Sequence, residues 1–373
     1  MQHREAQMKV TEISKFTCSV YKFVAPLVLD ALKENNIDYY VLQRARSVIA
    51  TNKRKGLFNG DIAELEVETY HFYTDPKDEK PVYDSVVAKA GLNQEGRGSL
   101  CVETAILIEG EEDNSNVSSL DFTVKSESTD FTGVYAITQR GRGNDLARIA
   151  INNGSCVPYV FHGKGGGIRD RMGLIRITIP AEKEMLNIVV AEHNGNGLMN
   201  LLIDGGQLDR PGMGFIFTYP VKRALMDRKS TLTVKSAASI GQIVAAIDEL
   251  KNSTEWRKKS YISADLPERR YFENLENIML ICDDTQAEAM LQAAMDAGAS
   301  GATISTCRSF SVQKDQNTTS QKAVEISDMV VGTNQKKDII SAVMEKGFFG
   351  KEINGRIIVK KSNLAFSYVG KKK

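Results

Sequence analysis

Glycine and basic residues cluster at a few places in this 373-residue chain, and that pairing suits one kind of chemistry. Glycines let successive backbone N–H groups converge on an anion, and a nearby lysine or arginine adds charge at the same spot. The densest cluster is GKGGGIRDRMG at 163–173, where Gly163, Gly165, Gly166 and Gly167 accompany Lys164, Arg169 and Arg171. These four glycines within 163–167, followed so closely by cations, exceed what a hairpin turn requires, so this stretch is a candidate for ordering around an anion or a partner. TNKRKGLFNG at 51–60 holds Lys53, Arg54 and Lys55 and invites the same reading. VQKDQNTTSQK at 312–322 is polar and reads as a solvated hairpin tip. Arg140-Gly141-Arg142-Gly143 precedes a helical pattern, where free N–H groups favour an anion; a plain strand-to-helix turn explains the same residues.

Catalytic signatures are weak, and no enzymatic activity is expected. The four histidines (3, 71, 162, 193) share no metal spacing, so no metal site is expected. No G-x-S-x-G, H-E-x-x-H or phosphate-loop motif occurs. Five widely spread cysteines (18, 101, 156, 282, 307) include no C-x-x-C, which fits reduced thiols and a cytoplasmic location. Cys156 and Cys307 fall in apolar, strand-like runs, so inert buried thiols are expected there. Lys plus Arg is 48 against 47 Asp plus Glu, a balance that argues against a dedicated nucleic-acid binder. No apolar run approaches the roughly 20 residues of a membrane helix, and the N-terminus lacks the apolar run of a secretory signal.

The elements that must position these residues repeat. In 134–221, a strand GVYAITQRG leads to a helix DLARIAINNG, for which Asn144 is the candidate cap and Gly154 the terminator. Strands CVPYVFHG and EMLNIVVAE, a helix around GLMNLLIDGG and a strand GFIFTYPV follow, giving β-α-β-β-α-β. The same order runs through 277–369, where Thr285 and Glu288 predict a capping box and Gly298 and Gly347 close the two helices. It runs again through 16–109, with Pro26 in the first helical turn and Gly91 ending the second helix. This unit is the ferredoxin-like arrangement, so the predicted fold class is α+β: three tandem ferredoxin-like domains with antiparallel sheets. Phe215, Phe217 and Tyr219 alternate with Ile216 and Thr218, so both faces of that strand carry bulk and the open sheet face should be covered. The linker 222–276 carries Ile240, Ile243, Val244 and Ile247 at helical spacing and predicts an amphipathic helix. Residues 110–133 are acidic and Ser-rich and read as a flexible link.

The middle copy, with Gly163-Lys164-Gly165, the strand EMLNIVVA and the exit PGMGFIFTYPV, resembles the PII-like domains of the nitrogen regulatory P-II superfamily. The third copy carries the GASGATI strand entry of the same group, and the first resembles it by element order and by Gly96-Arg97-Gly98. What the resemblance implies is signal transduction, with adenine nucleotides (ATP, ADP or AMP) bound in clefts between ferredoxin-like units. A mobile hairpin between strands 2 and 3 would carry the signal to a protein target, and a glycine loop before strand 4 would cradle phosphates. Three units in one chain would form an intramolecular pseudo-trimer or assemble as a homo-oligomer. The phosphate-loop counterparts here are Gly96-Arg97-Gly98, Gly212-Met213-Gly214 and Gly355-Arg356. All three depart from the family's G-x-G-Lys pattern: serine follows Gly98, no cation follows Gly214, and the first glycine is missing before Gly355. The alternative is a degenerate scaffold that keeps the fold and binds a protein partner or a non-nucleotide ligand.

Overall fold

The computed structural model describes residues 9–54, 60–110, 122–125, 129–153, 157–167, 182–227, 248–250, 252–253, 269–313, 318–349 and 355–369. The first stretch builds β1 (Lys9–Tyr21), α1 (Ala25–Glu34), β2 (Tyr39–Arg54), β3 (Gly60–Thr74), α2 (Glu79–Ala90) and β4 (Gly98–Glu109). The second builds β5 (Phe131–Gln139), α3 (Gly143–Asn152), β6 (Tyr159–Gly167), β7 (Glu182–Ala191), α4 (Glu192–Gly206), β8 (Gly214–Val221) and the short β9 (Arg223–Leu225). The third builds β10 (Leu275–Asp283), α5 (Ala287–Asp296), β11 (Gly301–Gln313), β12 (Thr318–Gly332), α6 (Lys336–Glu345), β13 (Arg356–Ser362) and β14 (Ala365–Ser367).

These strands do not form three tandem ferredoxin-like domains with separate sheets, and the predicted fold class is corrected on that point. They form one 14-stranded antiparallel sheet in the order β11-β12-β10-β13-β4-β1-β3-β2-β6-β7-β5-β8-β14, with β9 on β4. Because β11 also pairs with β2 and β6, nine strands close into a barrel and five lie outside the ring. Val359 faces Ile106 across β13–β4, Arg46 faces Val160 across β2–β6, and Phe310 faces Tyr40 across β11–β2. The β-α-β-β-α-β order itself recurs as read. An unpaired edge strand exposes a row of N–H and C=O groups, and pairing those edges across the repeats removes that liability.

Each stretch covers the outer face of its strands with two helices. In the first, Val28, Leu32 and Val86 pack on Phe16 and Phe72, whose rings stack at 4.8 Å. In the second, Leu146, Leu202 and Ile203 cover Leu186 and Ile216. In the third, Leu291, Ile340 and Val343 cover Leu280 and Ile357. Phe122 and Val124 are buried in this third core, and the Lys336 ammonium donates to the Phe122 carbonyl at 2.8 Å. That part of the Ser-rich connector is therefore packed rather than a free link. The start of the predicted linker 222–276 is strand β9, and the apolar set Ile240, Ile243, Val244 and Ile247 lies outside the described residues.

The inward faces supply the rest of the core. Ile13, Val41, Leu107, Ile281, Ile326 and Ile358 fill one level of the barrel. On β8, Ile216 joins the helix side while Phe217 and Tyr219 join Cys101 of β4 in another buried cluster. Both faces of that strand are covered, as its alternation predicts.

Candidate functional site

The glycine-rich run after Phe161 is strand as far as Gly167, and its backbone closes the barrel. Gly301, Ala302, Thr303 and Ile304 of β11 face Gly167, Gly166, Gly165 and Lys164. On the other side Gly163 and Lys164 face Lys183 and Glu182 of β7. A β-carbon on Gly163 would come within 2.6 Å of the Ile304 carbonyl oxygen and 2.9 Å of the Met185 methyl, so glycine here admits a close strand. Arg169 and Arg171 lie outside the described residues, as does Lys55 of the basic stretch.

The three glycine loops before the last strands are tied into the protein. Gly96 sits at φ +73 and donates its N–H to Asp227 Oδ1 at 2.9 Å. Arg97 donates from Nε to the Ala90 carbonyl at 2.7 Å, capping the end of α2. Gly98 lies against the Ser19 backbone where a β-carbon would overlap it. The Gly212 and Met213 carbonyls accept from Gln139 and Thr138 at 3.1 Å each, and Gly214 opens β8 against the Ile137 backbone. Gly355 is buried against the Phe348 ring. Arg356 lies over the Tyr39 ring at 3.7 Å, with Nε 3.2 Å from the Tyr73 hydroxyl and 3.4 Å from Glu109.

The turn at Arg140-Gly141-Arg142-Gly143 does hold an anion, and the anion is the protein's own. The Glu184 carboxylate accepts the N–H of Gly141 at 3.0 Å and of Gly143 at 2.7 Å, at the start of α3. Arg46 of β2 closes the group at 2.9 Å from Glu184 and 3.0 Å from Glu64. Asn144, the predicted helix cap, lies inside the first turn instead and accepts from Arg46 at 3.0 Å. This cluster fastens the first stretch to the second at the β2–β6 seam.

The larger polar constellation escaped the sequence reading because its members sit inside strands. Along β1 the inward positions run Ile13, Lys15, Thr17 and Ser19, so a charge replaces an apolar residue midway down the barrel. Lys15 donates to the Thr17 hydroxyl at 3.0 Å and lies 3.6 Å from Glu103 of β4. Lys360 of β13 donates to the same Glu103 oxygen at 2.9 Å and lies 5.2 Å from the Tyr219 ring centre. Tyr219 donates to Asn187 Oδ1 at 2.7 Å. In the other direction Thr17 Oγ1 lies 3.4 Å from His71 Nδ1, and His71 Nε2 lies 3.1 Å from Gln43 Oε1. Donation from Nε2 to Gln43 leaves Nδ1 to accept from Thr17, which is the neutral tautomer. The chain of contacts runs from β2 through the ring strands β3, β1, β4 and β13 to β8 and β7 outside the ring, and touches all three stretches. A single charged residue on the otherwise apolar face of a strand, as in IIVKKS or CVETAILI, is the sequence signal for it.

Burial shifts the proton affinities in this layer. It lowers the Lys15 pKa to about 8, against the pull of Glu103, and the nearby Lys360 charge lowers it further. It holds His71 well below its ordinary 6.5, helped by the Lys15 and Lys360 charges. Burial alone would raise Glu103, yet the two ammonium groups keep it below the usual carboxylate range. Asp328 of β12 is raised by burial, with the Lys360 charge and then its Asn277 hydrogen bond at 2.6 Å opposing. Beside the layer lies a cavity of about 50 Å³ bordered by strands of all three stretches.

The three hairpins meet at the barrel. Their first strands pair with one another: β2 with β6, β2 with β11 and β6 with β11. The β2–β3 hairpin runs past its seam with β6 at Ser47 out to Arg54 and Gly60, whereas β11–β12 ends at Gln313 and Thr318, just beyond the last β11–β2 pair at Ser311.

No protein-family model matches the chain, and no curated protein matches it. Among the described residues no helix is long and apolar enough to cross a membrane, and no group of His, Cys, Asp or Glu is arranged to hold a metal ion.

Proposed function

We propose that the chain is a PII-like regulatory protein, not an enzyme, that presents its hairpins to a protein target in the cytoplasm. The observation that carries this reading is the mutual pairing of β2, β6 and β11. A strand bonded on both sides cannot slip without breaking ladder bonds to its neighbours, so displacement of one hairpin is felt by the others. The reading follows the resemblance in assigning a nitrogen-regulatory type of signalling role and a relay through the loops between second and third strands.

The resemblance also implies an adenine-nucleotide effector, and the contacts favour a scaffold that works without one. The Gly96 amide is taken by Asp227, the Gly141 and Gly143 amides are taken by Glu184, and Arg356 is engaged by Tyr39, Tyr73 and Glu109. An incoming phosphate would have to displace a buried carboxylate from its donors, which costs several kcal/mol before any binding is gained.

Thermal-shift and calorimetric titrations with ATP, ADP and AMP, with and without Mg²⁺, test the choice. No saturable response is expected from any of them. A saturable rise in Tm with one nucleotide would replace the scaffold with a nucleotide sensor. If target binding persists after the segments 55–59, 168–181 and 314–317 are shortened, the hairpins are not the relay.

A further inference from the structure

Two cavities lie side by side inside the barrel and share Thr17, Glu103, Asn187 and Tyr219 in their walls. The larger, of about 50 Å³, borders Lys15 and Lys360 together with Glu103 and Asp328, so its charges balance and favour a neutral occupant. Tyr135, Thr303 and Ser305 add hydroxyls to that wall from the second and third stretches. The smaller, of about 20 Å³, lies between the first two stretches. Ser19 and Ser99 border it from β1 and β4, Tyr159 from β6, and Asp227 from just beyond β9.

Tyr159 is the group that calls for an occupant. The residue is only 6 % exposed, and its hydroxyl is buried with no hydrogen-bond partner among the described residues. A buried hydroxyl left in that state is costly. Tyr159 faces Ser47 across the β2–β6 ladder, which places it at the seam between the first and second stretches. A water needs about 10–15 Å³ of such space and roughly two to four polar partners. The smaller cavity has room for one, and the hydroxyls and carboxylates of its wall offer both donors and acceptors. By the same measure the larger takes roughly four.

We propose that both cavities are water sites, and that the smaller holds one ordered water bonded to the Tyr159 hydroxyl and bridging the first stretch to the second. This water gives Tyr159 its missing partner and adds a link across the seam that the β2–β6 ladder already forms. The waters of the larger cavity carry the link on to the third stretch, through Thr303 and Ser305. This proposal stands whether or not the hairpins meet a protein target.

The test combines a high-resolution crystal structure of the full chain with thermal melts. Density for one water is expected at hydrogen-bond distance from Tyr159 Oη, about 2.5–3.0 Å, with further polar contacts to the wall. Tyr159→Phe keeps the ring, and should lose that water and lower Tm by roughly 1–3 °C. In a dry cavity the same substitution would remove an unpaired buried hydroxyl and raise Tm instead. Tyr135→Phe, which borders the larger cavity alone, should leave the water at Tyr159 in place. In solution, magnetic relaxation dispersion of the solvent counts long-lived internal waters, and Tyr159→Phe should reduce that count. Empty density at Tyr159, density larger than a water, or a Tm that holds or rises in Tyr159→Phe would each overturn the proposal.

Discussion

His71 and Glu103 show how one buried layer couples this protein to pH. The unfolded chain binds a proton at His71 near pH 6.5, whereas the folded barrel resists it until well below that value. Between those two values the unfolded state holds more protons, so stability rises with pH and is lost as the medium becomes acid. Denaturant melts at pH 7 and pH 5 should show this loss, at up to about 1.4 kcal/mol per pH unit. His71→Gln should flatten the difference, and an unchanged pH dependence would remove His71 as its source. Glu103 has the opposite role as the shared partner of two cations. Glu103→Gln leaves Lys15 and Lys360 without their common carboxylate, and breaking a buried pair of this kind costs about 3–5 kcal/mol. Urea melts at neutral pH measure that cost directly. The glycines tell a related story: at Gly163 the residue type was legible, but its purpose was to admit a neighbouring strand.

Among the elements, most boundaries were readable because the backbone leaves local marks. Pro26 lies in the first turn of α1, and Gly91 takes a left-handed conformation just after α2. Gly298 and Gly347, also at positive φ, follow α5 and α6. The capping box at Thr285 and Glu288 did not form; α5 starts at Ala287, behind Gln286, without a side-chain cap. Apolar packing on Leu280 and Ile357 holds that helix, so the cap is dispensable. The β6–β11 seam is more demanding. Gly163→Ala forces a methyl against Ile304 and Met185 and should cost about 1–3 kcal/mol. Gly141→Ala is the control, because open space surrounds that position and only its positive φ is strained. Native-state hydrogen exchange should show faster exchange at the amides of 301–304 in the Gly163 variant and no change there in the Gly141 variant.

For the whole molecule, the shared sheet predicts cooperativity that three separate domains would not have. Each stretch lends edge strands to the others, so none can leave without exposing unpaired backbone on its neighbours. Calorimetry should give one transition whose van't Hoff and calorimetric enthalpies agree. Three resolved transitions would show that the seams contribute little. A fragment of 277–369 alone should fail to give a cooperative melt, because β11 and β13 would lose their partners β2, β6 and β4. Gel filtration of the full chain should give a monomer, since the ring closes with strands of one molecule.

The sequence by itself determined the three β-α-β-β-α-β runs, the helix ends marked by glycine and proline, and the two-sided burial of β8. Those features depend on local backbone preference and on alternation along a strand, which a single segment carries. The tertiary structure alone decided the union of the sheets into a barrel, the capture of the Gly96, Gly141 and Gly143 amides by Asp227 and Glu184, and the meeting of Lys15, Glu103 and Lys360 in its interior. Strand pairing is set by edges that any sheet presents alike. The two lysine partners of Glu103 lie far from it along the chain, Lys360 by 257 residues, where no local pattern records them.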